Sequence, residues 1–168
     1  MERLNDVEAK RFSALVLTCA DGRLHGPNNL VKWIPGLLGY DGRDGVVSYD
    51  LISVPGSCWK LARGSAMDRL GVLNDLALLI DRHQLETILV ISHRNCARYG
   101  ERDPLKEDGK LRGDLAYTRR LLRQSFPSVS VLQAIACVDE VSVTGVQLLK
   151  PGGEFQPPLL LCLRNDSV

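Results

Sequence analysis

The chain has 168 residues, 45% hydrophobic and 24% charged, with a formal net charge of +1 at pH 7. Those values suit one compact soluble domain, expected over 1–168, and offer nucleic acid or an anionic membrane no broad basic field. No apolar stretch approaches the ~20 residues of a membrane span. The charged residues 1–12 contain no signal-peptide core, so the five cysteines are expected as reduced thiols in a cytoplasmic protein.

In chain order, Leu4, Val7 and Phe12 suggest a short amphipathic helix. Ser13 to Thr18 reads as a first strand. Residues 24–45 carry five glycines and two prolines, a loop-rich excursion of the kind that shapes a pocket, with one short helix near Leu30 to Trp33. Val46 to Val54 predicts a second strand stopped by Pro55-Gly56. Ser65 and Asp68 form a capping-box pattern ahead of a helix whose predicted stripe is Leu70, Leu73, Ala77 and Ile80. Thr87 to Ser92 is the third strand. After a polar loop with Pro104 and Gly109, Asp114 is expected to cap a helix carrying Leu115, Leu121, Leu122 and Phe126 and halted by Pro127. Val129 to Val138 makes a fourth strand and Val141 to Leu149 a fifth, antiparallel one. Leu159 to Leu163 fits a sixth, at an edge or a subunit interface. This alternation predicts an α/β fold, a mainly parallel central sheet flanked by helices.

Two of these strands end in soft-metal ligands. Ala14-Leu15-Val16-Leu17 runs into C-A-D-G-R, residues 19–23, and Ile88-Leu89-Val90-Ile91 runs into H-R-N-C, residues 93–96. A parallel sheet brings both ends to one edge, where α/β folds hold ligands. Cys19, His93 and Cys96 would give Zn2+ two thiolates and one imidazole and leave one position open, the pattern of a catalytic site. Asp21 can accept a hydrogen bond from a water on such an ion, and Arg23 can hold Asp21 off the metal by a bidentate pair. Two thiolates and a neutral imidazole cancel the dication, so that water should ionise above the ~7 of three-histidine sites. Taken singly, each cysteine also suits a buried apolar thiol, and Asp21 a turn with Arg23 as its surface partner. Cys58, Cys137 and Cys162 read as packing residues. His25 reads as a solvated loop residue or a proton shuttle, and His83 as a complement to a helix dipole. Arg119, Arg120 and Arg123 read as a solvated helix face.

C-A-D-G-R and H-R-N-C resemble the C-x-D-x-R and H-x-x-C signatures of the β-class carbonic anhydrases, over roughly residues 13–140. The resemblance implies a zinc enzyme, a homodimer or dimer-based oligomer, that interconverts carbon dioxide and bicarbonate by zinc-bound hydroxide. It places the zinc ligands at Cys19, His93 and Cys96 and the Asp-Arg dyad at Asp21 and Arg23. The substrate would be a small molecule, with neither nucleic acid nor membrane as partner. Two departures bear on substrate access. Val54-Pro55-Gly56-Ser57 stands where the family usually shows R-N-A-G followed by Asn or Gly, keeping only Gly56 and losing the arginine, and Ala97 replaces the glycine after the second cysteine. Carbonyl sulfide or carbon disulfide hydrolysis, or zinc binding without turnover, are the alternatives.

Overall fold

A computed structural model describes residues 14–26, 29–39 and 48–149. The predicted N-terminal helix, the sixth strand and Cys162 lie outside them.

Five strands form one sheet: β1 (Ala14–Cys19), β2 (Tyr49–Val54), β3 (Thr87–His93), β4 (Ser130–Val138) and β5 (Val143–Leu148). Their order is β2-β1-β3-β4-β5. The first four strands run parallel and β5 pairs antiparallel with β4. β1 and β3 are buried almost throughout, because helices cover both faces and leave no polar side to alternate with. β2, at the edge, mixes exposed and half-buried positions.

On one face lie α3 (Cys58–Arg63), α4 (Ala66–His83) and α5 (Pro104–Ser125). Leu15, Leu17, Ile88, Val90 and Ile135 pack there against Leu61, Leu76, Leu115 and Leu122. The other face is covered by α1 (Gly22–His25), a 3-10 turn at Leu30–Lys32 and α2 (Ile34–Leu37). Leu24, Leu30 and Ile34 meet Val16, Leu89, Ile91 and Ala134 on that side. The short helix expected near 30–33 is thus a 3-10 turn followed by a one-turn α2. Its job is to roof the sheet.

Two helix readings need correction. In α4 the Ser65–Asp68 capping box forms as predicted, but Leu70 and Ala77 are exposed and the buried pair is Val72 and Leu76. Leu73 and Ile80 of the expected stripe do pack against the core beside Val72 and Leu76, so only Leu70 and Ala77 fall off the buried face. Helix α5 begins at Pro104, with Asp103 as its N-cap accepting from Leu105 and Lys106. Proline at the first helical position needs no N–H partner, so Pro104 starts the helix rather than marking a loop. Asp114 therefore sits mid-helix and is buried, where Arg63 Nε (2.7 and 2.9 Å) and Tyr99 Oη (3.0 Å) donate to its carboxylate. Among the described residues no helix is long and apolar enough to cross a membrane.

Candidate metal centre

The chain passes from β1 to β2 on one side and to β3 on the other. That reversal opens a crevice beyond the carboxyl ends of β1 and β3, the place where doubly wound sheets bind ligands. Cys19 is the last residue of β1 and His93 the last of β3. Register pairs Leu17 with Val90, so the two strand ends finish level. Cys96 follows one turn after His93, with Asn95 in the left-handed region (φ 55°) reversing the backbone. The sulfurs of Cys19 and Cys96 and a ring nitrogen of His93 all lie within 4.8 Å of one another, and all three residues are buried.

His93 decides whether these residues fit a metal. Its Nδ1 lies 2.8 Å from the carbonyl oxygen of Arg94, which can only accept, so Nδ1 carries the proton. Nε2 then presents a bare lone pair, and this atom is buried without a hydrogen-bond partner. A buried acceptor left unsatisfied costs about 1–3 kcal/mol. Facing two sulfurs, it makes sense as a ligand atom waiting for a cation.

The sulfurs are prepared unequally. Cys19 is pulled down, foremost by the hydrogen bond from Cys96 and further by the Gly56 N–H, against the opposing effect of burial. The Gly56 amide donates to Cys19 Sγ at 3.2 Å. Cys96 is raised because it faces the Cys19 thiolate and is itself buried, while the Arg98 N–H works in the other direction. One thiolate and one thiol therefore share the site. Gly56 has φ 84°, and a Cβ there would stand 3.0 Å from Trp59 Cβ and Arg98 Cγ. This is the glycine retained in Val54–Ser57, and it brings a backbone N–H within reach of the sulfur.

Asp21 and Arg23 meet as expected. Asp21 caps α1 by accepting from the Arg23 backbone N–H at 3.0 Å. The Arg23 guanidinium grips the same carboxylate through Nε (3.0 Å) and Nη2 (2.7 Å). It also donates to the carbonyls of Asn95 (2.9 Å) and Asp139 (3.3 Å), tying β1's end to the other two strand ends. Held by Arg23, Asp21 falls to about 2. Asp21 Oδ2 lies 3.7 Å from His93 Nε2, beside the three ligand atoms but not among them.

The structure also shows residues that the sequence reading passed over. Glu107 on α5 accepts from the backbone N–H of Asn95 (2.9 Å) and of Cys96 (3.0 Å). The adjacent Asp108 accepts from Arg94 (2.9 Å) and Arg112 (2.6 Å). Pro104 was the available signal: a helix beginning there places Glu107 in its first turn. His25 lies in α1 rather than in a loop, with Nε2 3.0 Å from the Cys19 carbonyl and 3.1 Å from Ser53 Oγ. His83, at the end of α4, pairs through Nδ1 with Asp50 at 2.5 Å. Cys58 is a packing residue, as expected, and burial pushes its thiol up to about 11.

A family model described as "Putative carbonic anhydrase" matches residues 9–146. The chain belongs to this family. Among solved structures, the carbonic anhydrase from Streptococcus mutans superposes with a TM-score of 0.51 at 17% identity, over 83% of this chain and 82% of that one. The β-carbonic anhydrase isoform I from Trichomonas vaginalis gives 0.47 and 14% over 86% of each chain. The carbonic anhydrase from Glaciozyma antarctica gives 0.41 and 15% over 80% of each. No curated protein matches. The mostly parallel five-stranded sheet with helices on both faces is thus the fold shared with the Streptococcus mutans carbonic anhydrase.

Proposed function

We propose that this carbonic anhydrase-like chain is a zinc enzyme that hydrates carbon dioxide to bicarbonate. Cys19 Sγ, His93 Nε2 and Cys96 Sγ would hold one Zn2+. The buried, unpartnered Nε2 of His93 beside two sulfurs is the observation that carries this reading. Zinc bound by three protein ligands would supply Lewis acidity, lowering the pKa of a water molecule and making it nucleophilic.

The chain's own residues supply orientation. Asp21, ionised far below neutrality, can accept a hydrogen bond from the attacking water and turn its lone pair toward the carbon. So acidic a carboxylate does not keep a proton at pH 7, which makes Asp21 an orienting group rather than the base. The proton released on hydration passes to solvent. Arg23 occupies both Asp21 oxygens and keeps the carboxylate turned from the ligand atoms. His93 keeps its ring fixed through Arg94 O, so Nε2 stays the coordinating atom. Assembly as a homodimer or dimer-based oligomer belongs to the same reading, with the signature resemblance as its support; sedimentation velocity tests it.

Metal analysis combined with stopped-flow hydration of carbon dioxide tests the activity. One zinc per chain and a hydration rate lost in Cys96→Ser are expected. Protein that stays metal-free after growth in zinc-replete medium, or that carries zinc and hydrates nothing, overturns the proposal.

A further inference from the structure

The turn from His93 through Arg94 and Asn95 to Cys96 is gripped from one side by α5. Glu107 is only 2% exposed, yet both carboxylate oxygens are engaged by backbone amides: Oε2 by Asn95 N–H at 2.9 Å and Oε1 by Cys96 N–H at 3.0 Å. The left-handed Asn95 (φ 55°) turns two successive N–H groups toward one point, the geometry of an anion nest. Asp108, 4% exposed, holds the intervening Arg94 side chain at 2.9 Å. From the far side, Arg23 fixes the Asn95 carbonyl at 2.9 Å. Among the described residues no cation forms an ion pair with Glu107. A buried carboxylate is costly unless well hydrogen-bonded, and here two ligand-turn amides serve that purpose.

We propose that Glu107 is a positioning residue for the metal centre. Its carboxylate clamps the Asn95 and Cys96 amides and so presets Cys96 Sγ against His93 Nε2 before any metal binds. The proposal rests on the zinc reading for its consequence but not for its geometry. Without the clamp, the left-handed turn has to be ordered by the metal itself, and affinity falls by the cost of that ordering. Outer partners of metal ligands are typically worth about 10–100-fold in affinity.

The test has a metal-free arm and a metal arm on the full chain. Glu107→Gln is nearly isosteric and is the main variant, because it can satisfy one amide but turns its own NH2 toward the other. His83→Ala, which breaks the His83–Asp50 pair outside the site, is the control for general destabilisation. In metal-free protein, amide hydrogen exchange should accelerate about tenfold or more at Asn95 and Cys96 in Glu107→Gln and stay parental in His83→Ala. Zinc affinity, read by competition with a chromophoric chelator, should weaken about tenfold in Glu107→Gln and about 100-fold in Glu107→Ala. The thiolate-to-metal band of the Co2+ form should shift in both Glu107 variants and not in His83→Ala. Parental exchange at both amides, or parental zinc affinity and an unshifted Co2+ band in Glu107→Gln, overturns the clamp. A parent chain with no affinity for zinc sinks the zinc reading instead, and the exchange arm then decides the clamp alone.

Discussion

Replacing Arg23 by alanine removes four side-chain hydrogen bonds at once. Two go to Asp21 (3.0 and 2.7 Å) and one each to the carbonyls of Asn95 (2.9 Å) and Asp139 (3.3 Å). The backbone N–H at position 23 still caps through Asp21, so α1 should persist. Asp21 then relaxes from about 2 toward its ordinary 3.8. Such a difference is worth about 2 kcal/mol at 1.36 kcal/mol per pH unit, and solvent access at this partly open pair reduces it to about 1 kcal/mol. That is enough to loosen Asp21 about fivefold, and its Oδ2 starts only 3.7 Å from His93 Nε2. The freed carboxylate should swing onto zinc and fill the open position. We expect the zinc-loaded variant to keep one metal per chain and lose tenfold or more of its carbon dioxide hydration in stopped-flow assays. A crystal structure should show Asp21 on the ion. The pH dependence also has a definite sign. A carboxylate depressed in the folded state stabilises above its unfolded value and loses that contribution as pH falls through about 2. In Arg23→Ala the loss should begin nearer pH 4, visible in acid denaturation. Full hydration activity, or a crystal structure with Asp21 still turned from zinc, refutes the gating role.

Zinc binding at pH 7 should release about one proton per ion, because Cys19 is already a thiolate while the raised Cys96 must give up its proton. Calorimetry in buffers of different ionisation enthalpy measures that count, and two protons would contradict it. Hydration by the zinc-loaded chain should rise toward alkaline pH, since two thiolates neutralise the ion; a flat stopped-flow profile counts against water ionisation as the control. Gly56→Ala should cost about 1–3 kcal/mol in urea denaturation and weaken zinc binding, as the new Cβ is strained at φ 84° and displaces the amide on Cys19 Sγ. Asp114→Ala should cost about 1–3 kcal/mol by removing the carboxylate that accepts from Tyr99 Oη and Arg63, with zinc affinity unchanged by chelator competition.

The grouping of Cys19, His93 and Cys96 and the Asp21–Arg23 pair were legible because each depends on local pattern. An apolar run that ends in Cys or His announces a strand delivering a ligand, and C-A-D-G-R places Asp21 where it can only cap the next turn. The parallel sheet was legible as well, from β-rich runs alternating with helical ones. Length and stripe of the helices were less so. Leu70 and Ala77 fit a helical face as well as Val72 and Leu76 do, and only the line along which α4 meets the sheet separates them. Asp114 looked like a cap because aspartate favours helix starts, yet Arg63, 51 positions earlier, provides the partner that lets it be buried.

By itself, the sequence determined which atoms can coordinate and which strands carry them, since ligand type and strand periodicity are properties of neighbouring residues. The tertiary structure alone decided what holds those atoms in place. Glu107 meets Asn95 and Cys96 because α5 folds back over β3. Gly56 reaches Cys19 because β2 lies beside β1, and Arg23 joins three strand ends that are far apart in the chain. Long-range hydrogen bonds between backbone amides and buried carboxylates leave no periodic trace in a sequence, because they depend on how the layers pack.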